Sequence, residues 1–123
     1  MAKVRGIRGA TTADSNSKES ILEATRELLE ALVESNDIDP DDVAAATFTT
    51  TTDLNAEFPA VAARQMGWNH VAMMCGHEMA VPDGHPHCIR VMILLNTDKP
   101  PQDMRNIYLR DAKGLRSRGT EGV

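Results

Sequence analysis

Two cysteines, three histidines and a glutamate lie close together in the stretch MCGHEMAVPDGHPHCIRVMI, residues 74–93. Thiolates and imidazoles are the usual ligands of structural zinc, so a metal site is the first hypothesis to weigh. The spacing opposes it, because neither the Cys-x2-Cys pair nor the His-x3-His pair of strong zinc signatures occurs. We therefore predict no metal site. A non-enzymatic zinc-binding module stays open as an alternative, with Cys75, His77, His85 and His87 as its ligands.

The same stretch is open to covalent catalysis, in which a histidine activates a cysteine for attack on an acyl group. Cys75 or Cys88 would be the nucleophile. This chemistry also needs an oxyanion hole and a third group that orients the histidine, and the sequence identifies neither. His85 and His87 lie among prolines and a glycine, which predicts solvated loop residues.

Arginines within regular elements are the more informative feature. Arg90 stands in the apolar run CIRVMILLNT, where an unpaired buried charge would cost several kcal/mol. Arg8 lies between two glycines in the first predicted strand, and Arg64 is the only charge in FPAVAARQMG. Because the planar guanidinium binds carboxylates through two parallel hydrogen bonds, these arginines indicate a site for a carboxylate-rich ligand. Structural ion pairs are an equally open interpretation.

Hydrophobic periodicity and capping residues predict the elements that position these side chains. The run that contains Arg90 is apolar on both faces, which is typical of a central strand. Asn16 and Glu19 have the spacing of a capping box at the start of a long helix. We predict strands over 3–13, 43–53, 70–75, 88–97 and 105–110, an amphipathic helix over 17–36, one helical turn after Asp39, and a short helix from Pro59 to a stop at Gly67. This order predicts an α/β (α+β) fold, a mixed β-sheet with helices on one face.

Length and composition narrow the function classes. The 123 residues (13.4 kDa) are enough for one domain, predicted over 1–123 with a mobile tail from about residue 111. A net charge of −5 argues against nucleic-acid binding, which usually requires a basic surface. No run is long and apolar enough to span a bilayer, and the start has no signal core. We therefore expect a cytoplasmic protein with free thiols, without membrane or nucleic-acid partners.

Four segments of the chain closely resemble the monofunctional, trimeric chorismate mutases of the Bacillus type. They are VRGIRGATT, DLNAEFPAVAARQMGW, CIRVMILLNTD and PQDMRNIYLRDAKGLR, in the family's order from about Lys3 to Arg118. The resemblance implies a homotrimer with a pseudo-α/β-barrel core and active sites in the clefts between adjacent subunits. It also implies the isomerisation of chorismate to prephenate without cofactor or metal, in the branch of the shikimate pathway that leads to phenylalanine and tyrosine.

The resemblance also implies roles for individual residues. Arg90 would lie against the ether oxygen of chorismate, where negative charge develops as the C–O bond breaks, and would contact a carboxylate. Glu78 would accept a hydrogen bond from the ring hydroxyl, with Cys75 nearby, while Arg8 and Tyr108 would hold a carboxylate. The other substrate-binding positions would be Phe58 and Leu115 against the ring, Arg64 and Arg116 at the cleft mouth, and Met74.

Three positions depart from the family pattern. Some members carry lysine where this chain has Val61, so no lysine can assist there. Met74 replaces a small polar residue of some relatives and removes a hydrogen-bonding group. Ser117 stands where a proline often follows the Leu-Arg pair of the tail.

One further enzyme class fits the arginines. The trimeric RidA-like imine or enamine deaminases have a similar architecture and also bind a carboxylate through an arginine. Release of ammonia from imines derived from amino acids would favour that class, whereas conversion of chorismate would favour the mutase.

Overall fold

Seven regular elements follow one another in the order β-α-β-α-β-β-β in the computed structural model, which describes residues 2–114. The two α-helices are α1 (Lys18–Asn36) and α2 (Ala60–Gln65). The strands are β1 (Lys3–Thr12), β2 (Val43–Thr50), β3 (Ala72–His77), β4 (Cys88–Thr97) and β5 (Ile107–Tyr108). Short 3-10 turns lie at Pro40–Asp42, Pro101–Asp103 and Arg110–Ala112.

The five strands form one mixed sheet in the order β3-β2-β4-β1-β5. Strand β4 lies in the middle, antiparallel to both β1 and β2, while β3 and β5 run parallel to their inner neighbours at the two edges. The central position predicted from the apolar run around Arg90 is thus confirmed. With two helices on one face of this sheet, the predicted α+β class is confirmed as well.

Helix α1 begins one residue later than the capping-box prediction requires. Ser17 is the N-cap, and its hydroxyl accepts a hydrogen bond from the backbone N–H of Ser20 at 3.1 Å. The side chain of Asn16 is engaged elsewhere, since its Oδ1 accepts from the N–H groups of Asn55 and Ala56, at 2.9 and 3.0 Å. The predicted Asn16 cap is therefore wrong, because this side chain ties the start of α1 to the segment before α2.

Three predicted strands have different ends in the structure. Strand β2 stops at Thr50, after which the hydroxyl of Thr51 bonds the carboxylate of Asp53 as the chain turns. Strand β3 lies two residues later than predicted. Strand β5 has two residues instead of six, because the side chain of Asn106 takes the N–H of Arg8 and Arg110 adopts a left-handed φ of 52°.

The side chains of the sheet alternate between a helix-covered face and an open face. On the covered face, α1 approaches β1 so closely that a Cβ on Gly9 would lie 2.8 Å from Cδ1 of Leu32. The glycine that follows Arg8 therefore leaves room for the helix. The core on this face includes Ile7, Leu28, Leu29, Leu32, Phe48, Ala63, Trp68, Val91 and Ile93, all at most 3% exposed.

The other face of the sheet has no helix packed on it within residues 2–114. Strand register places Arg8 opposite Met92, and Ala10 opposite Arg90, on this open face. Large apolar side chains are exposed beside the arginines; they are Val4 (53%), Met74 (74%), Met92 (40%) and Leu94 (37%). A surface that mixes arginines with exposed apolar side chains is typical of a binding or association face.

Candidate active site

The guanidinium of Arg90 is paired with Glu78. Nε of Arg90 lies 2.8 Å from Oε2 of Glu78, the distance of a charge-assisted hydrogen bond. Glu78 reaches it because its backbone N–H bonds the carbonyl of Thr50, and the neighbouring Thr49 lies opposite Arg90 in the β2–β4 register. Arg90 thus forms an ion pair, as the structural interpretation of this arginine requires. Its two Nη groups carry four further N–H donors that are not part of this contact.

Arg8, Arg90 and Tyr108 line one cavity of about 180 Å³ on the open face of the sheet. Each comes from a different strand, and Ala10 lies between Arg90 and Tyr108 in the strand registers. Two guanidinium groups and a phenol around one small cavity are donors that suit an anion, and carboxylate fits such donors best. The structure therefore brings three of the predicted site residues together within a single chain.

A second cavity, of about 430 Å³, is lined by both Glu78 and Arg90. The 79–87 loop and the turn after β2 form the rest of its wall. Asp53 fastens these two segments together, because its carboxylate accepts from the N–H of His87 at 3.0 Å and from the hydroxyl of Thr51. Burial opposes ionisation of Asp53, but these hydrogen bonds and the nearby His87 outweigh it and lower the pKa of the carboxyl group.

Phe58 and Cys75 line a third cavity, of about 350 Å³. Cys75 pairs with Phe48 in the β2–β3 register, which puts its side chain on the helix-covered side of the sheet. Arg90 points to the opposite side. Within one chain, therefore, Phe58 and Cys75 do not meet Arg90 in one cavity, although the sequence places Cys75 three residues from Glu78.

The remaining predicted site residues lie apart from these groups. Arg64 is exposed on α2, and Met74 is 74% exposed on β3; neither lines the three cavities described above. Val61 is half-buried on α2. Leu115, Arg116 and Ser117 lie outside the described residues.

The structure gives the zinc alternative no support. Within residues 2–114, no three histidine, cysteine or acidic side chains lie close enough together to hold a metal ion. The ring of His77 contacts the carbonyl of Leu54, His85 contacts that of Pro86, and His87 lies 3.8 Å from Asp53.

Cysteine catalysis is not supported either. Burial raises the pKa of the Cys88 thiol, although Arg90 opposes the shift, and a thiol is a poor nucleophile until it ionises. Cys75 and Cys88 are both free.

The cavity lined by Arg8, Arg90 and Tyr108 is called the arginine cavity below. Sequence reasoning missed its two threonines, Thr47 and Thr49. They are the polar residues of β2 that line this cavity together with Arg8 and Arg90. The signal was present in the run VAAATFTTTT, where alternation puts Thr47 and Thr49 on one side of the strand and Phe48 on the other. Only the sheet order shows that this side meets Arg90.

Fold and site together define a small α+β protein whose sheet offers arginines to an anionic ligand. None of the helices within residues 2–114 has both the length and the apolarity to cross a bilayer. The sequence pattern of the family described as chorismate mutase type I matches residues 4–118. The chain belongs to that family.

Named relatives agree with this assignment. The chain is 47% identical over 114 residues to chorismate mutase AroH of Thermus thermophilus, covering 92% of this chain and 93% of that protein. It is 44% identical over 114 residues to chorismate mutase AroH of Bacillus subtilis, with 92% and 90% covered. A solved structure described as a chorismate mutase from Clostridium thermocellum superposes with a TM-score of 0.86 at 46% identity, covering 88% of this chain and 96% of that one. The RidA-like alternative finds no support in these comparisons.

Proposed function

We propose that this chain is a chorismate mutase that isomerises chorismate to prephenate, in the cytoplasm, and that the whole chain forms one catalytic domain. The chain belongs to the family, and one observation on its structure supports the proposal. Arg8, Arg90 and Tyr108 line one cavity, and Glu78 contacts Arg90. Chorismate has two carboxylates, a ring hydroxyl and an enol-ether bridge. Two arginines suit its negative charge, and a glutamate suits its hydroxyl.

The proposed reaction is an intramolecular rearrangement that needs no nucleophile and no proton transfer. The site has to hold a compact conformer of the substrate and to stabilise the charge that separates as the C–O bond breaks. An acceleration of about 10⁶-fold requires roughly 8 kcal/mol from these two effects. In the proposed arrangement, an Nη group of Arg90 faces the ether oxygen, and Glu78 fixes the plane of the guanidinium through Nε.

We further propose that the active unit is a homotrimer whose sites lie between subunits. Phe58 and Cys75 face away from Arg8 and Arg90 within one chain, so a second copy is needed to bring both groups to one ligand. The open face supports association, because Val4, Met74, Met92 and Leu94 are exposed on it. Burial of such side chains between copies is favourable, at about 25 cal/mol per Å² of apolar surface removed from water.

The direct test is to follow the loss of chorismate absorbance and the formation of prephenate with the purified full chain. We expect turnover without added metal or cofactor, and a loss of substrate binding in Arg90→Ala. Absence of turnover by correctly folded protein would refute the proposed activity. Sedimentation measures the assembly separately: a species of three chains is expected, and a monomer at assay concentration would contradict the trimer.

A further inference from the structure

Tyr108 lies on the least supported strand of the sheet. Strand β5 has two residues and is an edge, and within residues 2–114 it pairs only with β1, through Gly9–Ile107 and Ala10–Tyr108. So short an edge strand has little stability of its own. The position of Tyr108 at the arginine cavity must therefore depend on contacts on either side of the strand.

Asn36 and Asn106 fix the segment before Tyr108. Asn36, at the end of α1 and 4% exposed, accepts from the N–H of Arg105 at 2.8 Å and donates to the carbonyl of the same residue at 3.0 Å. Asn106 accepts from the N–H of Arg8 at 2.8 Å. These contacts hold the amino side of β5 against both α1 and β1.

Arg110 fixes the segment after Tyr108. Its Nε and Nη2 donate to the two carboxylate oxygens of Glu27 on α1, at 3.2 and 3.5 Å, in a two-pronged contact. Nη1 lies 3.5 Å from Asp14 and 3.4 Å from the carbonyl of Thr12, and Nη2 lies 3.9 Å from Glu23. One guanidinium thus joins the last turn of the described chain to β1, to α1 and to the loop between them.

The backbone of Arg110 shows that these contacts impose its conformation. Its φ is 52°, in the left-handed region that arginine rarely adopts. Such a conformation persists only where the surroundings determine it. The guanidinium is 23% exposed, with three carboxylates around it, and Glu27 as its strongest partner raises the pKa of Arg110.

We propose that Arg110 is a positioning residue for Tyr108: by anchoring the chain two residues beyond the phenol, it holds the Tyr108 side chain in the arginine cavity. The proposal rests on the proposed function only where it predicts kinetics. Without Arg110, the segment after Tyr108 would lose its contacts with Glu27 and Glu23 on α1 and with Asp14, so it would no longer be held against α1. Tyr108 would then lose its place beside Arg8, and the substrate carboxylate would lose one of its contacts.

The kinetic test compares Arg110→Gln with Arg26→Gln. Arg26 is a matched control, because it is an arginine that pairs with a glutamate, Glu30, on the exposed side of α1. We expect KM for chorismate to rise about tenfold in Arg110→Gln, with kcat nearly unchanged, because ground-state binding is weakened. In a Tyr108→Phe background, Arg110→Gln should add little, since residues that act through one another are not additive. Equal kinetics in the two arginine variants, or additive effects with Tyr108→Phe, would overturn the proposal.

The second readout does not need activity. Tyr108 is the only tyrosine of the chain, so 3-fluorotyrosine gives a single ¹⁹F signal from the site. That signal should shift or broaden in Arg110→Gln and stay unchanged in Arg26→Gln. If wild-type protein fails to convert chorismate, the proposed function fails while this measurement still decides the role of Arg110. If Arg110→Gln does not fold, Glu27→Gln removes the two-pronged partner and should move the signal in the same direction; an unchanged signal there would overturn the proposal.

Discussion

Arg90 on β4 and Glu78 at the end of β3 are joined across β2 by a contact of 2.8 Å between Nε and Oε2. The Glu78 carboxylate accepts a hydrogen bond from Nε of Arg90 and so fixes the direction in which the two Nη groups point. A lysine at position 90 would have one nitrogen for both the carboxylate and the ligand. On the proposed function, Arg90 binds Glu78 through Nε and the substrate through its Nη groups, and a lysine could not do both in this way.

The first prediction concerns Arg90→Lys. Lysine keeps the positive charge but loses the planar fork, so we expect kcat to fall at least about 10²-fold, as for one lost oxyanion donor. Steady-state assays of chorismate conversion measure this. Arg5→Lys is the control, because Arg5 lies on β1 and donates Nε to the carbonyl of Lys99, away from the site. A near-normal kcat for Arg90→Lys would show that Arg90 has a structural role only.

The second prediction concerns the division of the site between subunits. Arg90→Ala removes the arginine half, and Phe58→Glu places a carboxylate in the other half, where it would repel an anionic substrate. Each variant alone should be nearly inactive. Refolding an equal mixture should restore up to about a quarter of wild-type activity, since random assembly in a ring gives that share of sites two intact halves.

Phe58 is a suitable position for this experiment because its side chain is 66% exposed, so the substitution should leave the fold intact. Mixing native proteins without refolding is the control and should restore activity only as fast as subunits exchange. A refolded mixture no more active than its components would contradict a site shared between copies.

The third prediction concerns stability. The hydroxyl of Thr11 is fully buried and has no hydrogen-bond partner within residues 2–114. Valine has the same shape without the polar group, so Thr11→Val should raise the free energy of unfolding by about 1 kcal/mol. Denaturant unfolding followed through Trp68 measures the change.

Thr25→Val is the matched comparison for that experiment. Thr25 is equally buried, but its hydroxyl donates to the carbonyl of Ile21 at 2.7 Å. Loss of this bond should lower the free energy of unfolding, by about 1 kcal/mol. If both valine variants change stability in the same direction, the unpaired hydroxyl of Thr11 is not the cause.

The fourth prediction concerns pH. The pKa of Asp53 is lower in the folded chain than its ordinary value of 3.8. The stabilisation from its carboxylate is therefore complete above about pH 5 and is lost as the pH falls through 3.8 and below. Asp53→Asn should be less stable than wild type at pH 7, and the difference should shrink below pH 3.8.

Urea midpoints across this pH range test the prediction. Asp42→Asn is the control, since Asp42 is an exposed carboxylate in the 3-10 turn after α1. A difference between Asp53→Asn and wild type that is independent of pH would show that the side-chain shape, and not its charge, stabilises the loop.

The central strand and the faces of its side chains were predictable because alternation and apolarity are local signals. Alternation along CIRVMILLNT puts Arg90 on one side of the strand with Met92 and Leu94, and the structure has all three on the open face. The partner of Arg90 was not predictable. Glu78 follows β3, and it meets Arg90 only because β2 lies between β3 and β4, a neighbour relation that spacing along the chain does not encode.

The sequence also did not show which of two neighbouring side chains would cap a helix, or where strand pairing would end. Asn16 and Ser17 are both good capping residues, and the choice of Ser17 depends on Asn16 being needed by Asn55, which lies 39 residues away. In the same way, β5 was expected over six residues because its sequence is strand-like. It is short because Asn106 and Arg110 use their side chains where strand pairing would continue.

Because the side chains of Cys75 and Arg90 lie on opposite faces of the sheet, the proposed activity would depend on the protein concentration. On the proposed assembly, a separated copy keeps its fold and both sets of side chains, but no ligand can touch the two sets at once. Specific activity should then decline as the protein is diluted below the dissociation constant of the assembly, while the circular dichroism spectrum stays the same.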